Sequence, residues 1–256
     1  MPGAYLFANL ITMQATITPS SEDDSYLVGN IHDLQAARVF RCESGTSLSI
    51  LFDFGGMVRA DTIAIVNHNL TASATLSLKA GASSPPSTVV ATPVYRAHDI
   101  YISFASTLER YWLLEITDTN SEDLEIGQLI LGVRVVLPRA RRIGSYSPAR
   151  ERSNISGETY AGVFWNYHLF ERHKFNPIFR VGSAVELAVL TGLDAAVYGD
   201  LWPFVYIPDI TKADCYYVRK ERDYTPQEIA KIGGGELAHD YQMSLLEESR
   251  GLNIQA

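Results

Sequence analysis

Arg110-Tyr111-Trp112-Leu113-Leu114-Glu115-Ile116, followed by Glu125-Ile126-Gly127-Gln128-Leu129-Ile130-Leu131-Gly132, decides how the first half of this chain folds. Trp112, Leu114 and Ile116 fall on one side of an extended backbone, and Tyr111, Leu113 and Glu115 on the other. Period-two alternation marks a strand with one buried face. The polar run from Asp118 to Asp123 between the two segments is turn chemistry. Together they make the closing strands of an antiparallel sandwich.

Upstream the same rule repeats. Leu48, Ile50, Phe52 and Phe54 share a face, with Ser47, Ser49 and Asp53 opposite, and Gly55-Gly56 closes the segment. Ile63 and Ile65 resume the pattern as far as Asn67-His68-Asn69, Leu76 and Leu78 precede Gly81, and Ile102 and Phe104 follow. Residues 81–88 hold paired prolines, which donate no ladder hydrogen bonds, so they read as a loop. Residues 33–40 read as one short turn, and nothing before residue 137 has the period of a long helix.

The second half follows other rules. Pro138, Gly144 and Pro148 punctuate a stretch holding Arg139, Arg141, Arg142, Arg150 and Arg152 against one acid, Glu151. It reads as a linker, or as a basic patch for an acidic surface on a neighbouring subunit. Gly157 to Phe170 reads as a strand with large side chains on both faces, including Phe164, Trp165 and Phe170. Such a strand is either covered on both sides or holds one face for a partner. Ser183 followed by Glu186 is a capping box that opens a helix ending near Gly199, with Val185, Ala188, Val189, Gly192 and Ala196 marking one face. Pro203 and Pro208 bracket a short strand, read as an edge strand. Cys215 to Lys220 and Tyr241 to Leu246 read as strands, Thr225 to Ile232 as a brief helix, and Gly233-Gly234-Gly235 as a joint. The division is 1–137 for the sandwich, 138–156 for the linker and 157–256 for the second domain.

The chain has 256 residues and a net charge of -8. Residues 1–137 hold 7 Lys and Arg against 14 Asp and Glu; residues 138–256 hold 14 against 15. An acidic first half excludes broad adhesion to nucleic acid or to anionic membranes. Cys42 and Cys215 read as reduced, buried thiols. The N-terminus lacks the basic and apolar regions of a secretory signal, so synthesis and folding in a cytoplasm are expected. No run is long enough to span a bilayer.

Searching for chemistry returns little. Six histidines make no metal-ligand spacing, there is no nucleophile elbow, and the triple glycine lacks the Lys-Ser/Thr of a phosphate loop. Asn67-His68-Asn69 is too short to define a nuclease site and reads as polar side chains bonding a strand corner. Trp112 reads as core. Trp202, beside Pro203, reads as exposed or interfacial. No catalytic, cofactor or metal residues are assigned.

Two stretches carry a resemblance. Ile50-Leu51-Phe52-Asp53-Phe54-Gly55, residues 60–70, Arg110-Tyr111-Trp112 and Glu125-Ile126-Gly127 resemble the galactose-binding-like, jelly-roll β-sandwich carried by tail proteins of tailed bacteriophages. Gly182 to Gly199 with Trp202-Pro203-Phe204-Val205-Tyr206-Ile207-Pro208-Asp209 resembles the tail-tube-like ring domain, a β-barrel with one flanking helix. The whole chain is similar to a distal tail or baseplate protein of a long, non-contractile tail. Many such proteins place the ring domain first, whereas here the sandwich reads first. The resemblance implies a non-enzymatic virion component, a homo-oligomeric ring of six at the tail tip. Its partners are itself, the tail tube and the hub or baseplate proteins. The alternative implied is an adhesin whose sandwich binds host glycan. Phe164, Trp165, Phe170, Trp202, Arg139, Arg141 and Arg142 are the candidate assembly residues.

Overall fold

The computed structural model describes residues 2–6, 9–43, 45–119, 122–140, 149–221, 227–231 and 237–248. The strands are β1 (Pro2–Leu6), β2 (Thr16–Pro19), β3 (Phe40–Arg41), β4 (Ser47–His68), β5 (Thr75–Gly81), β6 (Thr88–Ala91), β7 (Ile100–Thr117), β8 (Glu125–Gly132) and β9 (Val135–Ala140). They continue with β10 (Ala149–Glu158), β11 (Phe164–Phe175), β12 (Ile178–Val181), β13 (Phe204–Ile207), β14 (Tyr216–Lys220), β15 (Gln227–Lys231), β16 (Leu237–Gln242) and β17 (Leu245–Glu247). The helices are α1 (Leu10–Gln14) and α2 (Ala184–Ala196). Every pairing among the described strands is antiparallel, so the chain is mainly β, as the alternation requires.

The sandwich is built on β4, a 22-residue strand. It does not stop at Gly55-Gly56; its pairing with β7 shifts register between Asp53 and Val58, and it continues to His68. Gly55 sits at φ +68, a conformation that costs glycine nothing. The two halves of β4 then face one core, with Leu48, Ile50 and Phe52 from one half and Ala60, Ile63 and Ile65 from the other. Trp112, Leu114 and Ile116 from β7 and Ile126, Leu129 and Leu131 from β8 fill it. Trp112 is fully buried, and its ring N–H donates to the Glu109 carbonyl at 3.2 Å. A short turn does fall within 33–40, where the Arg38 N–H donates to the Gln35 carbonyl at 2.9 Å, and a helical turn at Val28–His32 precedes it.

The second unit is a seven-stranded sheet in the order β10-β11-β17-β14-β13-β1-β9, with a three-stranded sheet β12-β16-β15 and α2 packed against it. Its composition departs from the division at 137. The first strand of the chain, β1, pairs with β13 and β9, so the sandwich is inserted between two neighbouring strands of the second unit. The described part of the 138–156 segment is strand, in β9 and β10, not linker. Gln227–Lys231 is strand rather than helix. The triple glycine lies outside the described residues.

The capping box of α2 forms as its residues dictate. The Ser183 hydroxyl accepts from the Glu186 N–H at 3.2 Å, and the Glu186 carboxylate accepts from the Gly182 N–H at 2.8 Å. The buried face, however, is Leu190, Leu193 and Val197, while Val185 points to solvent. Apolar residues surround this helix on all sides, and the leucines bury more area than alanine or glycine, so they take the core. On the same side, the fully buried Lys220 ammonium pairs with the Asp194 carboxylate, which also accepts from the Tyr241 hydroxyl.

Strand β13 is central, not at an edge. Pro203 and Pro208 fall just outside its ends and remove no ladder hydrogen bond. All four of its residues are buried. Phe204 and Tyr206 face the α2 core, and Val205 and Ile207 face the sandwich. There, Val205, Ile207, Cys215 and Tyr217 pack on Ala36, Ala64, Val66 and Ile130 in one buried cluster. Burial drives the Tyr217 hydroxyl's pKa far upward, helped by nearby Glu248. Tyr101 adds a hydrogen bond to the Lys212 carbonyl at 2.5 Å, so the two units share a packed interface.

Candidate functional site

The segment from Ala149 to Phe175 is a hairpin rather than one strand from Gly157 to Phe170. β10 and β11 pair from Ala149↔Lys174 out to Glu158↔Phe164. The turn closes with Gly162 at φ +76 and the Thr159 N–H bonded to the Val163 carbonyl at 2.9 Å. Its register follows from charge. Arg150 and Arg152 both pair with Glu171, and Arg172 pairs with Glu151, each at 2.8–2.9 Å across the stem. Opposite charges facing each other stabilise one register and penalise slippage. The Arg152 guanidinium holds the Glu171 carboxyl below its usual range.

Beyond the stem the hairpin has no further strand partner among the described residues. β11 is bonded to β17 only at Lys174 and Phe175, and β10 is the sheet's outermost strand. A bare two-stranded ribbon is marginal in water. A bulge between Ser153 and Asn154 resets the pleat, and from there the two faces differ. Asn154, Ser156, Glu158, Asn166 and His168 lie on one face together with Phe164. Ile155, Gly157, Trp165 and Tyr167 lie on the other. Trp165 lies over Gly157, where a Cβ would come within 2.5 Å of the indole, so this glycine makes room for the ring. Trp165 and Tyr167 meet edge to face at 6.0 Å. Trp165 remains 41% exposed, Tyr167 69% and Phe164 77%, and Tyr160 in the turn is wholly exposed.

The candidate assembly residues thus separate in space. Phe164 and Trp165 share the tip but point to opposite faces. Phe170 belongs to the stem, with the Arg172 guanidinium 5.3 Å from its ring centre. Trp202 lies past the end of α2, 44% exposed and 4.7 Å from the ring of Tyr198. The backbone of Arg139 lies in β9, and Arg141 and Arg142 fall outside the described residues. Arg150 and Arg152 are engaged within the hairpin. Sequence reading included Tyr160 and Tyr167 in the bulky segment but missed Ile155 as a member of the tip; the signal was Gly162, which turns the chain and brings Ile155 opposite Tyr167.

The hairpin also forms one wall of a cleft of about 900 Å³. Tyr95, Arg96 and His98 of the sandwich line it as well, together with Asp214 and Tyr216. His173 on the hairpin wall meets the Glu247 carboxylate at 2.7 Å. The corner Asn67-His68-Asn69 behaves as its residue types suggest. Asn67 donates to the Ala36 carbonyl, Asn69 to the Asp123 carbonyl, and the His68 ring bridges the Leu70 N–H and the His98 carbonyl. Since Nδ1 accepts from Leu70, the ring proton sits on Nε2. Among the described residues no group of three or more His, Cys, Asp and Glu is placed to hold a metal, and no helix is long and apolar enough to cross a membrane.

No protein-family model matches the chain, and no curated protein matches it. Solved structures are similar to about half of it. One is chitosan-binding module 1 of a chitosanase/glucanase from Paenibacillus sp. IK-5, at 16% identity over 48% of this chain and 96% of the module, TM-score 0.43. Another is CpGH89CBM32-5 from Clostridium perfringens, solved with GalNAc-β-1,3-galactose, at 12% identity over 49% of this chain and 99% of that one, TM-score 0.42. A third is a GH29 fucosidase of Ruminococcus gnavus solved with fucose, at 15% identity over 50% of this chain and 27% of the enzyme, TM-score 0.42.

Proposed function

We propose that this chain is a non-enzymatic assembly protein, a ring-forming component of a phage tail tip that carries its sandwich as an outward appendage. The observation that carries the reading is the hairpin. Its stem is neutralised by its own ion pairs, while its tip presents Ile155, Trp165 and Tyr167 on one uncovered face. A ribbon of this kind gains its stability from a partner that covers the apolar face and pairs the free edges. The insertion of the sandwich between β1 and β9 is consistent with an appendage, because the second unit's sheet is complete without it. The tail tip, the virion location and the count of six copies rest on the resemblance of residues 46–132 and 157–246.

Charge substitution tests the reading. Trp165→Glu and Tyr167→Glu place a carboxylate on the apolar face and should leave a folded protein that sediments as a single chain. Asn166→Glu, on the opposite face, should assemble like the parent. Equal behaviour of all three would sink the proposal.

A second reading, glycan binding, has its own observation. The cleft is lined by Tyr95 together with Arg96, His98 and Asp214, a mixture suited to an apolar sugar face and its hydroxyls. Binding on a glycan array that vanishes in Tyr95→Ala with His98→Ala would favour it; no binding on the array would remove it.

A further inference from the structure

The hairpin tip needs an acceptor, and the same chain carries a second apolar patch that its own tip does not reach. We infer that the tip of one copy docks on the corner formed by Tyr198, Leu201 and Trp202 of the next copy, a head-to-tail contact. The inference rests on the assembly reading above.

The corner is built for display. α2 ends with two successive residues in the left-handed region, Tyr198 at φ +52 and Gly199 at φ +74. Glycine takes this conformation freely, but a tyrosine there is uncommon, and such outliers cluster at functional surfaces. The turn is held by the Gly199 N–H on the Asp194 carbonyl at 2.8 Å and the Trp202 N–H on the Val197 carbonyl at 3.0 Å. It presents the pair Tyr198 and Trp202, whose rings are tilted by 59° to each other, outward, with Tyr198 65% and Leu201 57% exposed. Beside them lies a recess of about 640 Å³ of mixed charge, where Leu201, Arg172 and Arg219 meet Asp200, Glu221 and Glu248.

That recess also fixes the geometry. Arg172 belongs to the hairpin stem. Trp165 lies seven positions further out on the same strand, roughly 23 Å away at about 3.3 Å per residue. The tip of a given copy therefore stands clear of its own corner.

Size points to a second copy. The exposed portions of Tyr160, Trp165 and Tyr167 amount to on the order of 450 Å² if each aromatic offers about 200 Å². That lies within the range of the largest, often functional, patch on a monomer, ~300–600 Å². Ile155 on the same face raises it to over half of the ~800 Å² per partner of a standard interface. Two different patches on one chain make a heterologous contact, which closes into a ring when the rotation allows. A membrane is a poorer occupant, because interfacial elements carry Lys and Arg beside their aromatics and the tip carries only Glu158.

Cross-linking between two variants of the full chain tests this. Tyr167→Cys and Leu201→Cys each replace an exposed side chain, and the native Cys42 and Cys215 are buried. With a short bismaleimide, the mixed variants should yield linked dimers, and neither variant alone should. Linkage of Tyr167→Cys alone would establish a tip-to-tip contact and overturn the proposal. Absence of linkage in a sample whose mass shows assembly would overturn the acceptor while leaving the ring reading intact. A sample that stays monomeric overturns both. Flotation with phosphatidylglycerol vesicles that is lost in Trp165→Glu would reassign the tip to a membrane and also overturn it.

Discussion

Replacing Asp194 by alanine should destabilise the second unit by about 3 kcal/mol. The Lys220 side chain is fully buried, and its ammonium faces the Asp194 carboxylate, which also accepts a hydrogen bond from the Tyr241 hydroxyl. Removing one partner of such a pair leaves a charge in the core, at about 3–5 kcal/mol. The lower figure applies because Asp194 keeps 25% of its side chain in solvent, so water partly substitutes. For a chain of this size that corresponds to a fall in Tm of roughly 6–12 °C. Urea melts of Asp194→Ala, Lys220→Met and the double variant give the coupling. The double variant should recover most of the loss, since an apolar pair of similar volume can replace a buried ion pair at little cost. Tyr5 offers a second readout: burial first, and Asp194 second, push its hydroxyl up to about 12, so the single variant should titrate lower. A loss under 1 kcal/mol for Asp194→Ala, or a double variant no better than the single, would refute the reasoning.

Ser183→Ala should cost on the order of 1 kcal/mol by removing the N-cap of α2, while Ser87→Ala in the exposed proline loop should cost almost nothing in the same melts. Arg110 grips Asp53 through two hydrogen bonds of 2.7 and 2.8 Å, and with the Gly55 N–H holds its carboxyl down at about 2. A lowered folded pKa gives stability that is present above the unfolded value near 4 and lost as pH falls towards 2. Parent and Asp53→Asn should therefore differ at pH 7 and converge near pH 2; a gap that widens on acidification would contradict this. Val66→Asp should part the two units while sparing the sandwich core, because Val66 faces Val205 and Tyr217 rather than Trp112. Hydrogen exchange should then rise in β13 and β14 before β7.

Period-two alternation exposed the sandwich strands because each had one wet face: Leu48, Ile50 and Phe52 were legible as core from spacing alone. The rule weakened where both faces are dry. Ile63-Ala64-Ile65-Val66 is apolar throughout, and nothing local says that Ala64 and Val66 meet β13 from residues 204–207. β1 was invisible because its five residues acquire a role through pairing with β9 and β13, more than a hundred positions away. In α2 the caps were legible because Ser183 and Glu186 act locally, but the buried face was not, since apolar residues surround the helix. At the tip, Phe164 and Trp165 were legible by bulk as large side chains on a strand with two apolar-bearing faces. Their division between two faces depends on the turn at Gly162 and the bulge near Asn154, which have no period to read.

The central claim is that the hairpin builds an assembly. Light-scattering mass across a concentration series, on the parent and on Trp165→Glu, tests it most directly. A single chain weighs 28.4 kDa, so six copies weigh about 170 kDa. The account predicts that the parent rises with concentration to a plateau at a fixed multiple of the single chain, near that figure for six, and that Trp165→Glu stays at one chain while keeping its fold. A parent that remains at 28.4 kDa throughout, or a Trp165→Glu that reaches the same plateau, would contradict it.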